Sequence, residues 1–157
     1  VSGGHLNPVV TLAERLFGGV STRQVAAYLP AQLFGGATGA VLANLMYGLH
    51  PVTVSTHHRS AGGLWLAEAL ATFGLVLLVF GLIRSGRVAV APFAVGGYIA
   101  AAYWWSSSTS FANPMVTVAR TLSNTFAGIA PSSVAMFVLM QLLGGAAAVL
   151  AVQVLYP

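Results

Sequence analysis

Four stretches of this chain are apolar for long enough to cross a lipid bilayer: Thr22 to Tyr47, Leu64 to Ile83, Val88 to Trp105 and Ser132 to Tyr156. A crossing takes about 20 apolar residues at a rise of about 1.5 Å each. Charge is scarce enough to leave no other reading. Six basic and two acidic residues make 5% of 157 residues charged, while 57% are hydrophobic. A soluble domain carries roughly 25% charged residues, and a disordered segment needs low hydrophobicity. The chain therefore reads as an all-α membrane protein whose first partner is the lipid bilayer. All six basic residues are Arg and they stand singly. The net charge of +4 is then helix-end anchoring at the membrane surface, with no basic stripe for nucleic acid. Cysteine is absent, which excludes disulfides and thiolate metal sites, and no metal or other cofactor is expected. The pair His57-His58 reads as a wet loop.

Two further apolar segments are too short to span: Pro8 to about Phe17, and Pro114 to about Asn124. Each supplies about ten helical residues, about 15 Å, or half of the hydrocarbon thickness. Each begins with Asn-Pro. Asn caps a helix start because its side-chain oxygen accepts from an exposed backbone N–H. Pro suits the first helical position, where no N–H is needed. Both follow loops of small residues, Ser2-Gly3-Gly4 and Ser106 to Ser110.

The two short segments also resemble each other. Asn7-Pro8-Val9-Val10-Thr11-Leu12-Ala13-Glu14-Arg15-Leu16 matches Asn113-Pro114-Met115-Val116-Thr117-Val118-Ala119-Arg120-Thr121-Leu122 at six of ten positions. Gln32-Leu33-Phe34-Gly35-Gly36-Ala37 then matches Gln141-Leu142-Leu143-Gly144-Gly145-Ala146. Duplicated, interrupted apolar segments point to a transport site at a repeat interface. The repeats divide as 1–60, the C-terminal part of a first unit, and 61–157, a complete second unit. The second unit has two spanning helices ahead of its Asn-Pro, whereas six residues precede Asn7. The expectation is a parent chain of about 200 residues with two more helices upstream, if the units match. Arg15, Arg23, Arg84 and Arg87 fall on one side of the alternating spans, which marks that side as cytoplasmic. Tyr103-Trp104-Trp105 reads as an outer aromatic belt. Gly35 and Gly39, with Gly144 and Ala148, form small-xxx-small faces for close crossing, where Gln32 and Gln141 would bond across helices.

Ser2-Gly3-Gly4-His5-Leu6-Asn7-Pro8-Val9-Val10-Thr11 resembles the first signature loop of the aquaporin, or major intrinsic protein, family. Tyr28 to Ala37 is similar to that family's third helix, Glu68 to Phe73 to its fourth, and Ala91 to Gly96 to the start of its fifth. The resemblance implies an inverted-repeat helical bundle, of which four spanning helices and two re-entrant half-helices are present here. It implies a homotetramer with one pore per subunit in a membrane, here read as the inner membrane of a bacterium. This sequence departs from the family pattern in two ways. Its signature triplets end in Val9 and Met115 instead of Ala. The position after the second triplet, usually Arg, is Val116.

The resemblance implies that the two half-helices meet N-terminus to N-terminus, with Asn7 and Asn113 pointing amide donors into a lumen. The positive ends of the helix dipoles would oppose cations and protons. An outer constriction would hold Val116, Ser110 and a residue of the third spanning helix. That residue is Tyr103 counted from Pro92, or Ala101 counted back from Asn113. Arg120, one turn beyond Val116, could reach back to the mouth and replace the absent Arg. Without Arg at 116 the pore would admit neutral solutes larger than water, such as glycerol or a metalloid hydroxide, the latter echoing Arg-less members associated with arsenic resistance. Against a typical glycerol facilitator stand Thr117, where Asp is usual, and the short loop from Gly48 to Gly63. Glu68, a carboxylate inside a span, is functional by default. It reads as a brace for the re-entrant loop, with a proton relay as the alternative, and His5 reads as a loop-packing residue.

Two rival functions stand beside the passive channel. An ion-coupled transporter shares broken helices, but Glu68 alone would have to serve as its intramembrane carboxylate. A non-conducting fragment is the other. Enzyme chemistry is not expected, since the sequence has no G-x-S-x-G motif and no paired intramembrane carboxylates.

Overall fold

A computed structural model describes residues 3–157. The elements are α1 (Pro8–Leu16), α2 (Thr22–Met46), α3 (Gly62–Arg84), α4 (Ala91–Trp105), α5 (Pro114–Ala119) and α6 (Pro131–Leu155). Short 3₁₀ turns precede α4 (Val88–Val90) and follow α5 (Arg120–Leu122). Among the described residues there is no strand. The fold is all-α, and α2, α3, α6 and the stretch Val88–Trp105 are long and apolar enough to cross a membrane.

Local chemistry sets the helix starts. Asn7 and Asn113 each cap a helix whose first residue is Pro. The start of α2 is a capping box: the Ser21 side chain accepts from Gln24 N–H, and the Gln24 side chain accepts from Ser21 N–H. Its helix runs through Pro30 without a break, as membrane helices tolerate. The second short helix is shorter than its apolar run suggests. The α-helix stops at Ala119 because Thr121 and Leu122 give their carbonyls to other segments. Thr121 O accepts from Ser55 N–H at 2.9 Å, and Leu122 O from Thr53 N–H and Asn44 Nδ2, both at 3.0 Å.

The packing centre is the crossing of α3 and α6, closed by α1. Val9, Ala13, Val76, Phe80, Ala148, Val149 and Val152 form one buried cluster there. Glycine permits the approach: a methyl on Gly144 would run into the Ala69 carbonyl, and one on Gly145 into the Val9 side chain. In lipid, where burial of apolar surface gains little, such close packing is a main source of helix association. Gly36, the repeat mate of Gly145, sits between α2 and α5 with room to spare, since a methyl would make ordinary contacts. A methyl there would lie 3.4 Å from Ala119 Cβ and 3.5 Å from Met115 O. Gly35 and Gly39 face open space among the described residues, unlike Gly144. One end of the bundle gathers Arg84, whose Cζ stands 5.2 Å from the centroid of the Phe17 ring. At the other end Trp104 is 85% exposed, at the position read as an aromatic belt.

Candidate functional site

The two Asn-Pro turns meet. Asn7 Oδ1 accepts from Val9 N–H at 3.0 Å, while its Nδ2 donates to Ala112 O at 2.7 Å. Asn113 mirrors this: Oδ1 accepts from Met115 N–H at 3.0 Å, and Nδ2 donates to Leu6 O at 3.0 Å. Each amide thus bonds the carbonyl just ahead of the other Asn. An amide nitrogen has two protons, so each keeps one. Of the NH2 expected to face a lumen, one proton is committed to the opposite loop on each side.

A second mirrored layer supports the first. Thr11 and Thr117, both fully buried, donate their hydroxyls to Asn7 O (3.0 Å) and Asn113 O (2.9 Å). Each hydroxyl accepts from a glutamine of the following spanning helix, Gln32 at 2.9 Å and Gln141 at 2.8 Å. His5 stacks on Tyr28 at 4.7 Å between centroids, and its repeat mate Phe111 packs edge-on to Phe137 at 5.4 Å. Pro8 and Pro114 are buried at the two helix starts. Val9 turns away into the α3–α6 cluster, whereas Met115 lines a cavity.

The loops ahead of the two Asn share left-handed backbone at two matching positions but not a composition. Gly3 and Gly4 have φ of +91° and +70°. At the matching positions Thr109 and Ser110 have +64° and +47°, and Ala112 has +46°. A non-glycine residue there costs about 1–3 kcal/mol. The Glu68 carboxylate offsets it. Oε1 accepts from Phe111 N–H at 2.8 Å and Ser108 Oγ at 2.6 Å, and Oε2 from Ala112 N–H at 2.9 Å and from Gln141 Nε2. Four donors occupy the four acceptor positions of a carboxylate.

Two cavities lie along the groove between α2 and α5. One, about 750 Å³, is lined by Val116, Arg120 and Asn44 near the C-terminal end of α2. The other, about 370 Å³, is lined by His5, Leu6, Tyr28, Gln32 and Met115. They share Gly36 and Val116. Ser110 and Tyr103, expected beside Val116, line neither. Ser110 is buried, has φ of +47°, and donates its backbone N–H to Ser108 Oγ at 3.2 Å. Tyr103 rests edge-on to Trp104 at 5.7 Å.

Arg59 is the residue that sequence reasoning missed. It lies in the loop between α2 and α3, only 4% exposed. Its Nε, Nη1 and Nη2 donate to the carbonyls of Gly128 (2.8 Å), Ser108 (3.1 Å) and Phe126 (2.8 Å). Burial lowers its pKa from the ordinary value, opposed by the negative charge of Glu68 and by Tyr103. Its Cζ stands 4.8 Å from the Phe111 centroid, and that of Arg120 stands 4.1 Å from the same ring. Comparing Arg59 with the second repeat gives no signal, because its partners are backbone carbonyls.

The sequence profile of the major intrinsic protein family matches residues 1–110. The chain belongs to the major intrinsic protein family. It is 47% identical over 148 residues to "Aquaglyceroporin AqpS" of Rhizobium meliloti, covering 94% of this chain and 63% of that protein. It is 38% identical over 95 residues to "Aquaporin-5" of Ovis aries, covering 55% of this chain and 35% of that protein. It thus spans less than two-thirds of these relatives' lengths. Major intrinsic proteins are channels, not enzymes, and the spans together with these relatives make this an integral membrane protein.

Proposed function

We propose that the chain forms part of a passive channel for water and small neutral solutes. The observation that carries this reading is the reciprocal pair of bonds from Asn7 to Ala112 O and from Asn113 to Leu6 O. They hold two helix starts against each other with one amide proton left on each. Those protons are donors for water or a hydroxyl oxygen in transit. Helix N-termini each carry up to about half a positive charge, and two facing ones oppose cations and protons. The saturation of Glu68 by four donors favours this reading over ion coupling, which would need a carboxylate free to bind and release.

Val116, at the junction of the two cavities, supports passage of solutes larger than water, because it supplies neither charge nor donor. The name of the rhizobial relative, an aquaglyceroporin, points the same way, and glycerol-like polyols or metalloid hydroxides are the proposed class. The repeats are taken as 1–60 and 61–157, and the working unit as a homotetramer in a bacterial inner membrane. The test is stopped-flow osmotic shock of liposomes carrying the full-length protein. Val116→Arg should lower glycerol flux about tenfold or more while water flux persists. Equal glycerol flux in both proteins would overturn the open outer wall.

A further inference from the structure

We propose that the groove between α3, α4 and the C-terminal end of α6 binds one anionic phospholipid, with an acyl chain along α3 and the phosphate on Arg87. None of the residues lining this groove lines either cavity between α2 and α5. The site is therefore separate from the Asn-Pro turns and holds whichever solute passes.

Two glycines of α3 shape the groove. Gly74 and Gly81 lie two turns apart on one helix face, about 10 Å at about 1.5 Å per residue. Each leaves a notch that a tyrosine occupies. A methyl on Gly74 would run into the Tyr98 hydroxyl, and one on Gly81 would lie 3.3 Å from the Tyr156 hydroxyl. Tyr98, on α4, donates to Ala71 O at 2.8 Å, which fixes the deep end. Tyr156, just past α6, is held by Arg84 Nη1, which donates to its carbonyl at 3.3 Å. The two tyrosines bound a cavity of about 610 Å³, walled by Leu77, Leu78 and Leu82 and closed at its rim by Arg87. The leucines are half-buried and Arg87 is exposed. An aliphatic trough that ends in a guanidinium matches an acyl chain that ends in a phosphate. A free phosphate would leave the leucines without a partner.

Charge selects the headgroup. The two acidic residues of this chain are Glu14 and Glu68, and neither serves Arg87. Glu68 is enclosed by its four donors, and Glu14 lies against Gly19, beyond α1. Arg84 is already tied to Tyr156 and stacked on Phe17. This end of the bundle, read as cytoplasmic, thus sets Arg15, Arg23, Arg84 and Arg87 against Glu14 alone. The cytoplasmic leaflet presents anionic lipid to such a surface, and a guanidinium grips phosphate through two N–H groups. A zwitterionic headgroup would bring its own cation beside Arg87.

The test is native mass spectrometry of the full-length protein in neutral detergent, titrated with phosphatidylglycerol or with phosphatidylcholine of the same chains. Phosphatidylglycerol should bind about fivefold more tightly or better, the effect of one arginine facing an anionic headgroup. Arg87→Gln should abolish that preference. Arg23→Gln removes an equal charge from the same end, at an exposed residue outside the groove, and should keep the preference within about twofold. Leu78→Trp fills the groove with every charge in place and should weaken both lipids. Equal losses in Arg87→Gln and Arg23→Gln would mean diffuse surface attraction and overturn the site. Equal binding of the two lipids by the wild type overturns it too, as when upstream helices or a neighbouring subunit cover the groove. Displacement of phosphatidylglycerol by glycerol phosphate at equal concentration would make this a phosphate site and overturn the lipid. Undiminished binding in Leu78→Trp would overturn the acyl-chain trough. Should Leu78→Trp fail to fold, Arg87→Gln at its exposed position decides, and an unchanged preference there is the overturning result.

Discussion

Glu68 shows how one residue can hold a strained loop. Three consecutive or near-consecutive non-glycine residues, Thr109, Ser110 and Ala112, sit at positive φ. Two of the N–H groups they leave facing inward, on Phe111 and Ala112, end on one carboxylate. Glu68→Gln replaces one acceptor oxygen by a donor, which must then face an N–H. The expected loss is roughly 2–4 kcal/mol, read as a lowered Tm in detergent. A Tm equal to wild type would mean that the loop holds its own shape. The carboxylate itself is legible as an oddity in an apolar span. The strain it relieves is not, except by comparison: aligning the repeats sets Thr109 and Ser110 against Gly3 and Gly4, and glycine is the residue that adopts positive φ freely.

At the scale of elements, the glycine pairs decide which helices touch. Gly144 lets the α6 backbone approach the Ala69 carbonyl of α3, and Gly145 admits Val9 of α1. Gly144→Ala would drive a methyl into backbone, which cannot rotate away. The expected cost is about 2 kcal/mol or more, measured as a fall in Tm and in the yield of folded protein. Wild-type stability would show that α3 and α6 can separate without loss. The glycine motif is plain in the sequence of both repeats. Which glycine meets a neighbour is not, because the motif says only that a backbone can be approached. The early end of α5 has the same origin: the carbonyls of Thr121 and Leu122, just beyond it, are taken by Asn44, Thr53 and Ser55, residues far away in the chain.

For the whole molecule, the pseudo-symmetry is a mechanical coupling as much as a pattern. Each Asn amide bonds a carbonyl of the other half, so the halves hold each other's loops. In a double-mutant cycle on stability, Asn7→Ala and Asn113→Ala should couple by about 1 kcal/mol or more. Additivity within about 0.3–0.5 kcal/mol would mean that the two turns are held independently.

The sequence alone determined the membrane as solvent, the four spans, the two Asn-Pro helix starts and their repetition. These follow from hydrophobic length and from capping chemistry, which act over a few neighbouring residues and leave their mark in residue type. The tertiary structure decided which proton of each Asn is spent across the interface, which arginine is tied down, and that Ser110 and Tyr103 stay out of the cavity that Val116 lines. Those outcomes turn on backbone carbonyls brought together from distant loops. Every residue type carries a carbonyl, so nothing in the order of side chains announces where one will be needed.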